Sequence, residues 1–364
     1  MIPYPPAFGG LVDVYYKIVW LHKMGCSIYL HCFTEDDADV TILNSLCEKV
    51  YVYPRNKGIS GLSIKSPYIV SSRRSTLLLS RLLGNSHPIL FEGIHTTAYL
   101  QENHFNSRQV FVRLFNTEFI YYRQLAVKER NWIKKLYYKV EAVQLKVYER
   151  RLAQKKATFL ALSHTDENCY RDQLGATNVQ FLPAFLPYNN VTSFEGCGTS
   201  CLYHGNLSIN ENEAVAIWLI SEVFSMLDIS LIVAGKQPSK RLLNLIKTHK
   251  NITLIANPTD NEMQGLVADA HINILPSFNA TGVKLKLLNT LFNGRHCLIN
   301  KAGVAGSNAE ALCEIAETSV EMIKRIQQLM QEPFTQFAIE SRTKILGDEY
   351  NNDKNIIELT KLIH

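Results

Sequence analysis

The sequence predicts an α/β protein built as two doubly wound domains. Strands and helices alternate along the whole chain, the chain runs to 364 residues, and a Pro/Asn-rich stretch near residue 187 divides it. Alternation of this kind gives parallel sheets covered by helices on both faces. The length exceeds one ordinary core, since domains run at about 100 to 200 residues. Apolar residues make up 46% and charged ones 20%, which fits a soluble globular chain. Apolar runs such as Leu227 to Ala234 fall short of the roughly 20 residues that cross a bilayer. The start, Met1-Ile2-Pro3-Tyr4-Pro5-Pro6, lacks the basic and apolar regions of a secretory signal, so the expected location is the cytoplasm.

In order, Leu11 to Met24 reads as an amphipathic helix and Cys26 to Phe33 as a strand. Short strands follow near Lys49 to Tyr53, Pro88 to Phe91 and Gln109 to Leu114. Lys156 to Leu162 and Val179 to Leu182 complete a first domain, residues 1 to 187. The run from Leu182 to Asn190 reads as a linker. A second domain, residues 188 to 345, has strands at Ser200 to His204, Ile229 to Val233, Ile252 to Ile255, Ile272 to Leu275 and Arg295 to Ile299. Helices at Asn210 to Met226, Ser239 to Thr248, Asp260 to Ala268 and Gly282 to Asn293 separate them. Residues 346 to 364 form a last helix that closes one domain or crosses back to the first. Ligands in such sheets bind outside the carboxyl ends of strands, so the loops after His204, Ala234 and Leu275 are the places to look.

The eight cysteines are scattered among apolar neighbours without a CxxC pair, and Cys197 and Cys201 are the closest two. They read as core thiols, and no metal site is expected. A formal charge of +5 does not call for nucleic acid. Its distribution matters more. A helical stretch from about Trp132 to Lys156 carries Lys134, Lys135, Lys139, Lys146, Arg150, Arg151, Lys155 and Lys156, with Trp132, Ile133, Leu136, Val140, Val143 and Val147 at helical spacing. Such a helix lies on an anionic membrane surface or is a solvated outer face.

The segment Leu275 to Lys286 ends a buried strand and opens a helix, which makes it a candidate phosphate site. Gly282 lets backbone approach a ligand, and free amides at a helix start favour an anion. Lysines in a first turn oppose the helix macrodipole by about 0.3 to 1 kcal/mol unless a negative group sits there. Lys284 and Lys286 lie about 200° apart around a helix, so one of them faces a given phosphate. Lys286 shares a polar face with Asn289 and Asn293 and is the first choice. The bland alternative is two solvated lysines on a surface helix.

The second half carries Tyr203-His204-Gly205-Asn206-Leu207, Ile232-Val233-Ala234-Gly235-Lys236 and the stretch Pro276-Ser277 through Gly294. In these it resembles the nucleotide-binding domain of the retaining, GT-B-fold glycosyltransferases of the large group 1, or family 4, class, of the bacterial polysaccharide type. In the first half, Pro3-Tyr4-Pro5-Pro6-Ala7-Phe8-Gly9-Gly10 is similar to the family's proline-rich loop that approaches the donor phosphates. Arg113 to Glu118 followed by Tyr121 to Leu125 resembles a block of some bacterial members, which usually have His in place of Phe115. The resemblance implies two Rossmann-like domains facing across a cleft. It implies donor contacts from Gly9, Gly10, Gly205, Asn206, Lys236, Ser277, Thr281, Gly282, Val283, Lys284 and Asn289, and acceptor-side roles for Arg113 and Asn116.

This sequence departs from the family's motif. Aligning Gly294 on the family's glycine puts Thr281 and Asn289 where two glutamates eight positions apart stand. Asn289 can still hydrogen-bond a ribose hydroxyl; Thr281 cannot act as a carboxylate. The basic pair after the domain's first strand is also missing, which leaves the diphosphate charge to Lys284 or Lys286. A buried strand precedes the proline-rich loop in the family, and Met1-Ile2 is all that stands there; a missing first strand would leave a gap in a parallel sheet.

The implied reaction moves a sugar from a nucleotide diphosphate sugar to a hydroxyl of a glycan or lipid-linked acceptor, with retention. The charge of the departing diphosphate falls to Lys286, Lys284 and the glycine amides, without cofactor or metal. His95 and Glu118 join Lys286 as candidate catalytic residues. His95 is equally a loop histidine bound to its own backbone, Asn116 equally a helix N-cap and Glu118 a first-turn acid. Placement at the inner face of the membrane through the 132–156 helix follows if the acceptor is lipid-linked. A GT-B-fold sugar epimerase or phosphorylase is the alternative enzyme; a catalytically degenerate partner subunit is the alternative without chemistry.

Overall fold

The computed structural model describes residues 2–6, 9–34, 39–64, 66–129 and 131–363. It divides into two compact units: Met1–Pro187 with Tyr350–His364, and Tyr188–Glu349. Every named strand pairing is parallel, as the alternation of strands and helices requires.

Unit 1 holds two sheets. Strands β1 (Tyr29–Thr34) and β2 (Lys49–Pro54) form one; β3 (Ile89–Glu92), β4 (Val110–Leu114), β5 (Thr158–Ala161) and β6 (Val179–Phe181) form the other in that order. The helix Gly9–Lys23 covers both. Its Val14 and Ile18 pack with Leu30 and Val50, while Tyr16, Trp20 and Leu21 pack with Leu90 and Phe111. On the opposite side, Phe33 and Tyr53 share a core with Phe91 and Val112. The two sheets are therefore layered alike, yet no strand pairing joins β1 to β3 among the described residues. Ile2 is in no strand, and Met1 lies outside the described residues.

A buried ion network fixes the covering helix. Asp13 accepts from Arg113 Nε and Nη2 at 2.9 Å each, from Lys17 at 3.0 Å and from the Phe185 N–H at 2.8 Å. Lys17 also reaches Glu92 at 2.9 Å. Burial alone would raise the Asp13 carboxyl, but Arg113 and Lys17 hold it at about 2.

Unit 2 has one six-stranded sheet of β7 (Ser200–His204), β8 (Ser230–Gly235), β9 (Ile252–Ala256), β10 (Ile272–Ile274), β11 (His296–Ile299) and β12 (Glu314–Ile315), in the order β12-β11-β10-β7-β8-β9. The predicted 210–226 helix is regular only over Asn210–Trp218; it widens to a π turn at Leu219–Val223 and tightens at Phe224–Met226. Leu219, Ile220, Val223 and Phe224 are all buried there. The break between units falls after Glu349, not after residue 345, because the helix Gln336–Glu349 is continuous and buries Arg342 and Leu346. The final helix, Asn352–Ile363, packs Ile356 and Leu359 against Phe111 and Leu160 of unit 1.

Candidate functional site

In unit 2 the strand order reverses between β7 and β10. Loops leaving those two strands open at the switch point, where doubly wound sheets bind ligands. They are the segments after His204 and after Ile274.

Asparagines build the second of these loops. Asn300, just past β11, accepts from the Ser277 N–H at 2.9 Å and donates to the Ser277 carbonyl at 2.8 Å. Buried Asn279 accepts from both the N–H of Thr281, at 2.9 Å, and its hydroxyl, at 2.7 Å. Turns of this type compete with helix, and Gly282 follows at a φ of 66°. The helix consequently starts at Leu285, with Lys284 as its N-cap residue, and not at Gly282 as the periodicity predicts. Lys284 does not stand in a first turn; its ammonium donates back to the Thr281 carbonyl.

Lys286 is placed differently. Its ammonium lies 4.9 Å from the centroid of the Tyr203 ring, and no hydrogen bond or ion pair reaches it among the described residues. Burial, then repulsion from Lys284, pulls its pKa down to about 8, with Glu211 pushing the other way. A desolvated cation without a hydrogen-bond partner is costly until an anion arrives. His204, the last residue of β7, adds a second unsatisfied group. It is 4% exposed, and its Nε2 has no partner among the described residues. Burial and the charge of Lys286 hold it at about 3, so the ring is neutral.

The other expected donor residues of unit 2 differ in how far the fold already uses them. The Gly205 N–H donates to the Ala234 carbonyl at 3.1 Å. A Cβ added to Gly235 would stand 1.9 Å from the Gly205 carbonyl oxygen, so backbone meets backbone there and glycine is required. Asn206 spends its side-chain oxygen on its own turn, accepting from Ser208 N–H at 3.1 Å and Oγ at 2.7 Å. Lys236 is exposed just beyond β8, and Val283 is half-buried in the asparagine-built loop. Asn289 is 9% exposed and accepts from Asn293 at 2.8 Å.

Gly9 and Gly10 belong to unit 1, where they open the first helix; a Cβ on Gly10 would meet the Phe115 ring at 3.9 Å. Ala7 and Phe8 of the proline-rich loop lie outside the described residues. His95 sits in a tight turn after β3, its ring 6.5 Å from that of Phe115. Its ring makes no hydrogen bond to its own backbone among the described residues. Burial, with Arg73 adding to it, takes its pKa well below the ordinary value. Gly93 has a φ of 87°, and a Cβ there would stand 2.4 Å from His95 Cε1; only glycine lets the ring fold back in this way.

The acceptor-side expectation for Arg113 and the N-cap alternative for Asn116 need correction. Arg113 is fully buried, and its guanidinium is consumed by Asp13 and by the carbonyls of Leu182, at 2.6 Å, and Pro183, at 2.9 Å. It organises the core: four of its five N–H donors are spent there, and full burial keeps the guanidinium from an acceptor. Asn116 is not the N-cap: that residue is Thr117, and the capping is done from elsewhere. Glu149 accepts from the N–H groups of Glu118 at 3.0 Å and Phe119 at 2.8 Å, and from the Tyr170 hydroxyl at 2.8 Å. Asp166 accepts from the Thr117 N–H at 2.7 Å. Asn116 instead hydrogen-bonds the Glu118 carboxyl, which burial raises to about 7. Burial and Glu118 push Glu149 to about 8. A carboxyl poised near neutrality suits acid–base work.

No group of His, Cys, Asp and Glu arranged to hold a metal occurs among the described residues. No helix among them is long and apolar enough to cross a membrane.

No family model matches the chain. A relative from Klebsiella pneumoniae, named "Uncharacterized 44.6 kDa protein in cps region", is 26% identical over 323 residues, which cover 84% of this chain and 82% of the relative. Among solved structures, Anabaena HepE in complex with UDP-glucose aligns with a TM-score of 0.67 at 12% identity, over 98% of this chain and 96% of HepE. A glycosyltransferase from Rickettsia africae aligns at 0.63 and 10% identity, over 99% and 95%. TarM from S. aureus, in complex with UDP and alpha-GlcNAc-glycerol, aligns at 0.59 and 10% identity over 79% of this chain, which spans 58% of TarM's length. The fold is that of the GT-B glycosyltransferases, mixed α/β with parallel sheets in two Rossmann-like domains.

Proposed function

We propose that the protein is a retaining glycosyltransferase that takes a nucleotide diphosphate sugar as donor and a glycan or lipid-linked hydroxyl as acceptor. One observation carries the reading: Lys286 stands half-buried, its charge disfavoured by that burial, and without a hydrogen-bond partner among the described residues, at the strand-order reversal where such sheets bind ligands. A diphosphate leaving group supplies the anion that this lysine lacks, and its developing charge is what an enzyme of this type must stabilise. The neutral His204 ring adds a hydrogen-bonding edge beside it without a competing charge. For the acceptor, His95 and Glu118 are the candidates in unit 1, because both lie at strand ends and neither is consumed by the core. A role in surface polysaccharide or glycolipid synthesis fits the "cps region" of the Klebsiella relative's name.

The test is mass spectrometry of products from a library of nucleotide sugars incubated with membrane glycolipid extract. Transfer of a sugar to an extract component is expected. Nucleotide sugar left intact with every acceptor overturns the reading. Reaction without acceptor, or with free phosphate alone, points to an epimerase or phosphorylase. A degenerate partner subunit is the reading favoured by Thr281, whose hydroxyl is already bound to Asn279; calorimetry showing no binding of any nucleotide would support it.

A further inference from the structure

We propose that the outward face of the Trp132–Ala153 helix is a docking surface for an anionic lipid bilayer. The proposal deepens the lipid-linked side of the function above, and rests on it for its purpose though not for its physics. The helix buries one face: Glu141, Ala142, Leu145, Tyr148, Glu149, Leu152 and Ala153. A helix anchored this way ordinarily turns polar residues to solvent. Here Trp132 is 73% exposed, Val143 67% and Leu136 55%, and Val140 and Val147 are also exposed. At about 100° per residue, these five fall within roughly 80° of arc, almost opposite the buried face. The apolar stripe is therefore surplus to the core, and nothing among the described residues of unit 1 covers it.

The charges around the stripe select its occupant. Lys135, Lys139, Lys146 and Arg150 line one flank, and Arg151 lies on the other. The helix has two acids, Glu141 and Glu149, and both are buried on the far side. Ile133, Leu136, Val140, Val143 and Val147 also follow the three-then-four spacing of a coiled-coil seam. A second copy would nevertheless bring lysine and arginine flanks against their own kind, with no exposed acid on the helix to answer them. A surface of anionic headgroups over acyl chains satisfies both features at once: apolar side chains enter the interface, and basic ones meet phosphate. Trp132 stands at the helix start, where Asn131 caps the first turn by accepting from the N–H groups of Ile133 and Lys134. That position suits an indole at a headgroup boundary.

The experiment is flotation of the full chain with vesicles of phosphatidylcholine alone, or of two parts phosphatidylcholine to one part phosphatidylglycerol, at low and high salt. Binding to the anionic vesicles is expected, weakened by salt, with a blue shift of tryptophan emission that Trp132→Phe abolishes. Val143→Asp, and separately Lys139→Glu with Arg150→Glu, should each weaken binding by on the order of tenfold. These positions are exposed, and circular dichroism verifies that each variant is folded. Failure to float with anionic vesicles, equal binding to neutral ones, or indifference to both variants overturns the proposal. So does a dimer in sedimentation that Val143→Asp dissociates, since the occupant is then a second copy. Vesicle binding needs no catalysis: a protein that floats but transfers no sugar sinks the function above and leaves this surface standing, and the converse sinks only the surface.

Discussion

The environments of Arg113 in unit 1 and Lys286 in unit 2 show how one fold class uses cations for opposite ends. Arg113 is fully buried and spends its guanidinium on Asp13 and two carbonyls. Burial drops the Lys286 pKa to about 8, and among the described residues its ammonium finds an aromatic face and a more distant acid. A cation satisfied inside the fold is architecture; one left unsatisfied at a strand-order reversal is where the proposed ligand would bind. The difference teaches where to look for function when every motif position is polar. What matters is which groups the fold has already used.

The sharpest way to break this contrast is to remove each cation. Arg113→Met leaves Asp13 buried with Lys17 as its remaining charge partner, and removal of one member of a buried pair costs about 3 to 5 kcal/mol. Urea denaturation should show that loss, with the earliest-exchanging amides in unit 1. Lys286→Met removes a desolvated charge that has no hydrogen-bond partner among the described residues to orphan, so stability should hold or rise while nucleotide affinity collapses. A charge-assisted hydrogen bond is worth about 1.5 to 3 kcal/mol, so calorimetry with UDP should register a loss of roughly ten- to a hundredfold. Equal destabilisation by the two substitutions would sink the contrast.

How far the sequence told these environments apart depends on whether the partners are local. Strand and helix order were legible because apolar periodicity is a local signal, but the reversal between β7 and β10 is a pairing between distant strands that the alternation leaves open. The start of the 285–293 helix was not, although its cause sits nearby. Asn279 pulling in Thr281 overrides helical periodicity in a way that spacing alone does not display. Arg113 was misread for a different reason: its partner Asp13 lies 100 residues away. Glu149 caps a helix that begins 31 residues before it. Asn300, holding Ser277, had one visible signal, an Asn directly between a strand and a short helix. His204 was quoted within a motif, yet burial of its unpaired Nε2 exists only in three dimensions.

Protons offer a gentler probe of the same lysine. Burial sets the Lys286 pKa at about 8, below the ordinary lysine value of 10.5. An anion beside it raises that value, so nucleotide binding should take up a proton and weaken as pH rises past 8. Calorimetry at pH 8.5 in two buffers of different ionisation enthalpy should give different apparent heats, and Lys286→Met should erase the difference. Heats that do not depend on the buffer would mean that Lys286 does not face the ligand. Stability runs the other way. The unfolded chain holds this proton more tightly between 8 and 10.5, so this lysine's contribution to stability rises with pH across that window.

Glu118 should give the smallest effect, with a sign opposite to that of an ordinary acid. Its folded pKa, about 7, lies above the ordinary glutamate value of 4.5 because burial disfavours the charge and Asp166 adds to it, with Asn116 partly offsetting both. The stability it contributes is present below 4.5 and disappears as pH climbs through 7. Glu149, raised to about 8, extends the same slope. Thermal unfolding at a series of pH values should therefore show unit 1 weakening from pH 5 to 8, and Glu118→Gln should flatten the lower part of that slope. If Glu118 also handles the acceptor proton, the substitution removes the limb of the kcat/KM profile near pH 7 while UDP affinity stays put. A changed stability slope with an unchanged rate profile would make Glu118 a structural acid, and leave His95 as the residue to test on the acceptor side.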